Sequence, residues 1–321
     1  MNDLPKSVHI YEQGPREGFQ FEKGPIPTAR KIELVDALSE TGLKQIQVCS
    51  FVPAKNVPGM ADADEVAANF KRKPGVRYEA LSLNEKGLQR ALATGRFDTT
   101  GTISLTASEA FVQRNQKRTL KENYEAQHGM IEMYKRNNVT VDKGSIMAAF
   151  GCNFEGDISV ERVLNITQQI FDLAAEHGLT IKMLNLSDTM AWATPLSLKS
   201  IVGAVRDKYP DQKLSLHLHD TRGMAVALAY AGLEMGVSIY DACVGGLGGC
   251  PFAAHKGAAG NICTEDLVFM CDEMGIETGV DLEKLCAAAR LAEEIVGRPL
   301  PGAVKQGGPL KALREKVRAA A

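Results

Sequence analysis

The sequence predicts an α/β chain folded as a (β/α)8 TIM barrel with an extra C-terminal helical segment. Three observations predict it. Short β-rich runs alternate with amphipathic helical runs through most of the 321 residues, the order that produces a parallel sheet. The alternation completes eight strand–helix units, the number a barrel needs, at a length that suits one. No GxGxxG follows the first strand, which weakens the doubly wound dinucleotide-binding alternative.

The elements follow in order. SVHIYEQ (7–13) is the first strand, and the turn-rich GPREG (14–18) follows it. Pro27 and Thr28 open a helix that runs to about Glu40 and stops at Gly42. QIQVCSF (45–51) and the helix at 62–71 form the second unit; VRYEALSL (76–83) and the helix at 84–95 form the third. TTGTISLTA (99–107) precedes a long helix near 120–137. TVDKGSIMAAFG (140–151) precedes a helix at 159–178, with Ser159 suited to its N-cap and Gly178 to its C-terminal stop. KMLNLSDTM (182–190) leads to a helix from Pro195 to about Tyr209. KLSLHLHD then leads to a helix at 224–236, and IYDACVG (239–245) to a glycine-rich loop and a helix at 264–275. An added helix covers 281–297. Residues 1–297 are expected to form one catalytic barrel domain. Residues 298–321 are expected to be a partly disordered tail.

Composition narrows the function classes. Net charge is −2, from 37 Lys plus Arg against 39 Asp plus Glu, which argues against a nucleic-acid partner. The opening MNDLPKSVHIYEQ has no apolar signal core and no later run is long enough to span a bilayer, so no membrane partner and a cytoplasmic location are expected. Seven Cys without a CxxC pair read as reduced thiols, mostly in the core.

In LSLHLHDTRG (214–223), leucines alternate with Ser215, His217 and His219, so the two histidines project side by side from one strand face. Such a pair serves either as metal ligands or as hydrogen-bonded core residues, and this stretch alone does not choose. A barrel builds its active site at the C-terminal ends of its strands. Arg16 and Glu17 follow strand one, Gln47 lies late in strand two and Asp188 ends strand six. His217, His219 and Asp220 end strand seven, and Cys250 and Asn261 follow strand eight. A carboxylate, two imidazoles and an amide oxygen make a mixed O/N set suited to a divalent ion with positions left for substrate. The loop GGLGGCPFAAHKGAAGN (245–261) implies close backbone approach. A cysteine there can act as an acid or base, its ordinary pKa of about 8.5 lying near working pH. Cys49, Cys243, Cys271 and Cys286 read instead as small buried hydrophobes.

GPREGFQFEK (14–23), LHLHDTRG (216–223), GGLGGCPFA (245–253) and GNICTEDL (260–267) together resemble the 3-hydroxy-3-methylglutaryl-CoA lyase family. That family belongs to a wider group of barrel metal-dependent lyases and Claisen-type synthases. The resemblance runs from about Val8 to Leu285, and the glycine–cysteine loop marks the lyase branch. It implies cleavage of a 3-hydroxyacyl-CoA to acetyl-CoA and a keto acid, with Mg2+ or Mn2+ as cofactor. The acyl-CoA is the partner implied, and a homo-oligomer is compatible with the pattern. By position, Arg16 matches the catalytic arginine, Asp188 a catalytic acidic residue and Cys250 the loop cysteine of proton transfer. His217, His219 and Asn261 match metal ligands, and Glu17 takes the place of a metal-binding aspartate. Gln47 stands where the family carries a supporting glutamate. Ser187, Ala191 and Ala193 replace glycines around Asp188, and about two extra residues near His255 and Lys256 lengthen the cysteine loop. These departures point to an altered 3-hydroxyacyl-CoA, for instance a citramalyl-CoA-like one. A Claisen-type synthase and a non-catalytic acyl-CoA-binding relative are the alternatives.

Overall fold

Period-two alternation sorts each strand into two faces, and here the faces differ in polarity. Ile10, Ile46, Tyr78, Leu184, Leu216 and Tyr240 are buried in the main apolar core. The residues between them, among them Gln45, Gln47, Glu79, Asn185, Ser215 and Asp241, bond to one another instead. The strands therefore pack apolar sides under helices and enclose a polar interior.

The computed structural model describes residues 4–22, 24–249 and 260–320. Its strands are β1 (His9–Glu12), β2 (Gln45–Ser50), β3 (Arg77–Leu81), β4 (Gly101–Thr106), β5 (Val141–Met147), β6 (Met183–Asp188), β7 (Lys213–Leu218) and β8 (Ile239–Ala242). They form one eight-stranded sheet in the order β3-β2-β1-β8-β7-β6-β5-β4. The ladders between them are all parallel, so first and last strands pair and the sheet curls into the barrel expected. At the other seam, the segment leading into β4 bonds β3 through Asp98 N–H to Tyr78 O at 2.7 Å.

The helices following these strands are α1 (Thr28–Ser39), α2 (Ala63–Asn69), α3 (Glu85–Ala93), α4 (Glu109–Gln116), α5 (Leu120–Arg136), α6 (Val160–Glu176), α7 (Pro195–Lys208), α8 (Ala225–Glu234), α9 (Thr264–Glu273) and α10 (Leu282–Val296). Ser159 caps α6 as expected, its side chain accepting from Arg162 N–H. Helix α4 lies outside the elements that periodicity predicts. Its EAFVQRNQ carries Phe111 and Val112 side by side rather than three or four apart, so no apolar stripe announces it. A two-stranded hairpin, Gly151–Cys152 with Gly156–Asp157, begins at Gly151, where the strand read in sequence ends. Beyond residue 298, where the sequence suggests partial disorder, two further helices form: α11 (Val304–Gly307) and α12 (Leu310–Ala320). Arg314 of α12 pairs with Glu273 at 2.6 Å.

Candidate active site

The turn after β1 is the first part of the site. Gln13 N–H bonds Ala242 O at 2.8 Å, and Glu17 N–H bonds Gln13 O at 2.8 Å, winding Gly14–Gly18 into one wide turn. Glu12, fully buried, fixes that turn to the far side of the seam. Its Oε1 accepts from Gly14 N–H (2.7 Å) and Val244 N–H (2.9 Å), and its Oε2 accepts from Thr264 Oγ1 (2.5 Å). Burial pushes the Glu12 carboxyl up to about 7. Held this way, Arg16 and Glu17 point into the mouth, 3.1 Å apart at Nη2–Oε2.

The second part comes from β7. His217 and His219 lie on one face as the alternation predicts, ring centroids 4.9 Å apart. Each ring spends Nδ1 on an acceptor. His219 Nδ1 donates to the backbone oxygen of Asp188 at 3.0 Å, and His217 Nδ1 donates to Asp241 Oδ2 at 3.2 Å. In the neutral form of each ring Nε2 carries a lone pair, and both Nε2 atoms lie near Glu17 Oε1, at 3.6 Å from His219 and 3.9 Å from His217. His219 Nε2 is buried and without a hydrogen-bond partner. Burying an unpaired polar atom is costly, and two imidazole lone pairs converging with a carboxylate are the donor set of a divalent ion. Ligand atoms of Glu17, His217 and His219 lie within 4.8 Å of one another; among the described residues no other trio of His, Cys, Asp and Glu does so. The residues present fit a metal.

Charge supports the same arrangement. Burial alone would raise the Glu17 carboxyl, yet the Arg16 guanidinium, and then His217 and His219 in their protonated forms, hold it well below the usual carboxylate range. Burial alone would lower His217, but the Asp241 and Glu17 carboxylates raise it.

Asn261 arrives on the return of the cysteine loop. Asp220 N–H bonds Gly260 O at 2.7 Å and Ile262 N–H bonds Leu218 O at 2.9 Å, laying this segment beside the end of β7. Its amide nitrogen donates to Glu17 Oε1 at 2.9 Å and to Leu247 O at 3.0 Å. Asn261 thus joins the cluster with nitrogen, not oxygen, toward the carboxylate. Asp188 is fully buried at the end of β6, accepting from Trp192 N–H at 2.8 Å and Ala193 N–H at 3.2 Å, and burial raises its carboxyl. Ala191 in that turn has φ +54°, a left-handed conformation that suits the glycine the resemblance leads one to expect. Its carbonyl accepts from Arg222 at 2.9 Å. Gln47 Oε1 accepts from Arg16 Nε. Asp220 is not part of the trio, and its Oδ1 accepts from Ala225 N–H at the start of α8 at 2.8 Å. Cys250, and the extra residues near His255 and Lys256, lie outside the described residues. Cys49, Cys243, Cys271 and Cys286 are buried, as expected of core thiols.

Sequence reasoning missed Asp241, although β8 pairs with β7 in a register that sets Asp241 directly beside His217. It also missed Tyr11 and Glu79, whose hydrogen bonds run below Arg16.

The family model described as HMGL-like matches residues 7–292. The mitochondrial hydroxymethylglutaryl-CoA lyase of Rattus norvegicus is 38% identical over 306 residues, which is 95% of this chain and 91% of that protein. The crystal structure of the Bacillus subtilis HMG-CoA lyase superposes with a TM-score of 0.86 at 36% identity, covering 95% of this chain and 98% of that one. An HMG-CoA lyase from Acinetobacter baumannii, solved with coenzyme A and 3-methylmalate, gives a TM-score of 0.84 at 34% identity, covering 97% and 98%. With likeness of this extent in sequence and in fold, the chain belongs to the HMGL-like family.

Proposed function

We propose that the protein is a divalent-metal-dependent carbon–carbon lyase that cleaves a 3-hydroxyacyl-CoA, 3-hydroxy-3-methylglutaryl-CoA or a close relative, to acetyl-CoA and a keto acid. The observation that carries this reading is the meeting of two free imidazole nitrogens and Glu17 beside Arg16 at one barrel mouth. Cleavage removes the hydroxyl proton, turns that C–O bond into a carbonyl, and sends the C–C bonding pair into the thioester as an enolate. Protonation of the enolate carbon completes acetyl-CoA.

Glu17, His217 and His219 hold the ion in this reading, with Asn261 as fourth ligand once its amide turns to present oxygen. When bound, Mg2+ or Mn2+ supplies Lewis acidity toward the hydroxyl oxygen. Arg16 presents its guanidinium to the thioester oxygen, where negative charge develops; such stabilisation is commonly worth about 3 kcal/mol. Asp188, with its raised carboxyl pKa, is suited to take the hydroxyl proton, and Cys250 to return a proton to the enolate carbon. Gln47 orients Arg16.

The reading includes a cytoplasmic location, a catalytic domain over residues 1–297 and a homo-oligomer. Exposed Leu196 on α7 and Val226 and Tyr230 on α8 support the last. Among the described residues no helix is long and apolar enough to cross a membrane. The test is incubation with Mn2+ and a panel of 3-hydroxyacyl-CoA thioesters, following acetyl-CoA. Release from at least one is expected; no release from any while Mn2+ is bound overturns the reading.

A further inference from the structure

Beneath Arg16 the barrel interior holds a hydrogen-bonded chain whose direction is set from its far end. The Glu79 carboxylate on β3 can only accept, and it lies 3.2 Å from Arg77 Nη2 and 3.3 Å from Lys143 Nζ. Tyr11 on β1 meets it at 2.7 Å, so the phenol proton goes to Glu79. A phenol has one proton, and its oxygen must then accept from its other neighbour. That neighbour is the Gln47 amide nitrogen on β2, at 2.7 Å. With its nitrogen committed, Gln47 turns its oxygen to Arg16 Nε. Tyr11, Gln47 and Glu79 are all buried, so water offers no substitute partners.

We propose that Tyr11 and Glu79 are positioning residues for Arg16, acting by fixing the Gln47 amide with its oxygen toward the guanidinium. The inference rests on the role given to Arg16 above. It also accounts for glutamine where the resemblance leads one to expect glutamate. A carboxylate at position 47 would face a phenol oxygen already committed to Glu79, lone pair against lone pair. Burial, and then the Glu79 charge, push the Tyr11 phenol well above its ordinary range, which keeps its proton available for donation.

The chain predicts sign epistasis. Y11F removes the atom that orients the amide, and Q47E sets a carboxylate against the phenol; each is expected to lower kcat roughly tenfold or more with KM within about twofold, the signature of a misplaced catalytic group. The double variant Y11F/Q47E removes the conflict, because a carboxylate accepts from Arg16 whichever way it turns. Its kcat should exceed that of both single variants. Phenylglyoxal labelling of Arg16, mapped by peptide mass spectrometry, reads placement without substrate. Labelling should quicken severalfold in each single variant and return to the parent rate in the double. Losses that multiply in the double variant, or single variants with parent kcat and labelling, overturn the proposal. Should Y11F not fold, Q47E/E79Q replaces it, since Tyr11 is then free to donate to the carboxylate introduced at position 47; kcat no better than Q47E overturns the proposal equally. If the parent protein cleaves no thioester, the functional reading fails while the labelling still decides the positioning.

Discussion

Asp241 touches no substrate in the mechanism proposed, yet changing it is expected to alter metal affinity. Its Oδ2 accepts from His217 Nδ1 at 3.2 Å and from Asn185 Nδ2 at 3.2 Å, and Ser187 Oγ in turn holds Asn185 Oδ1 at 2.7 Å. Asp241→Asn keeps the shape and one acceptor oxygen but removes the charge. A hydrogen bond to a charged group contributes about 1.5–3 kcal/mol and a neutral one about 0.5–1.5, so the loss is about 1–1.5 kcal/mol. That corresponds to roughly tenfold in metal Kd, the lower end of the range for outer partners of ligating histidines. Asp241→Leu removes the acceptor, frees the ring to turn, and should cost about a hundredfold. Mn2+ titration at constant pH, following the EPR signal of the free ion without substrate, measures both. The Tm of the metal-free variants reports separately on the fold. Dissociation constants within twofold of the parent for both variants would refute the reasoning.

Two further perturbations probe the surroundings. Gly248 has φ +85°, and a Cβ there would sit 2.6 Å from Asn261 Nδ2 and 2.8 Å from Glu17 Cγ. Gly248→Ala should weaken Mn2+ binding more than tenfold by displacing Glu17, whereas Gly275→Ala, at φ +73° with open space around it, costs only about 1–2 kcal/mol of backbone strain. Equal Mn2+ affinity in the two variants would count against close packing of the loop on Glu17. Burial pushes the Glu265 carboxyl up to about 8. Between an unfolded value near 4.5 and that folded value, the native state keeps a proton that the unfolded chain has released. The stability this group contributes is therefore complete below about pH 4.5 and is lost as pH rises through 8, by up to about 1.4 kcal/mol per unit. Glu265→Gln abolishes the titration, so its Tm relative to the parent should climb between pH 5 and pH 8.5. Parallel curves would show that Glu265 does not carry this dependence.

The parts of the fold that could be read from sequence were those with a local period. In LSLHLH the leucines pack outward, and histidines interrupting an otherwise apolar strand can only lie on its other face. The barrel rule then gathered Arg16, Glu17, Asp188 and Asn261 at the same mouth, although they are scattered along the chain. Asp241 escaped because its importance lies in lateral register: it faces His217 across a strand pair, 24 residues away, and spacing along one strand does not encode its neighbour. Tyr11 and Glu79 escaped for a related reason. Each looks like an ordinary polar residue in a short strand until the barrel brings β1, β2 and β3 together. The Asn261 amide orientation depends on Leu247 O, a backbone atom that no residue pattern specifies.

Glu12 bonds the turn after β1 to Val244 and Thr264 with a single carboxylate, and this has a consequence for the chain during synthesis. Arg16 and Glu17 emerge from the ribosome well before the groups that hold their turn, which lie more than two hundred residues behind them. Before the last strand docks, the Glu12 carboxylate has water as its partner and the turn has no fixed shape. The histidines, the carboxylate and the arginine therefore come together in one late event, when β8 and the start of α9 close the seam. An unfinished chain carries Arg16 and Glu17 without a pocket to act in.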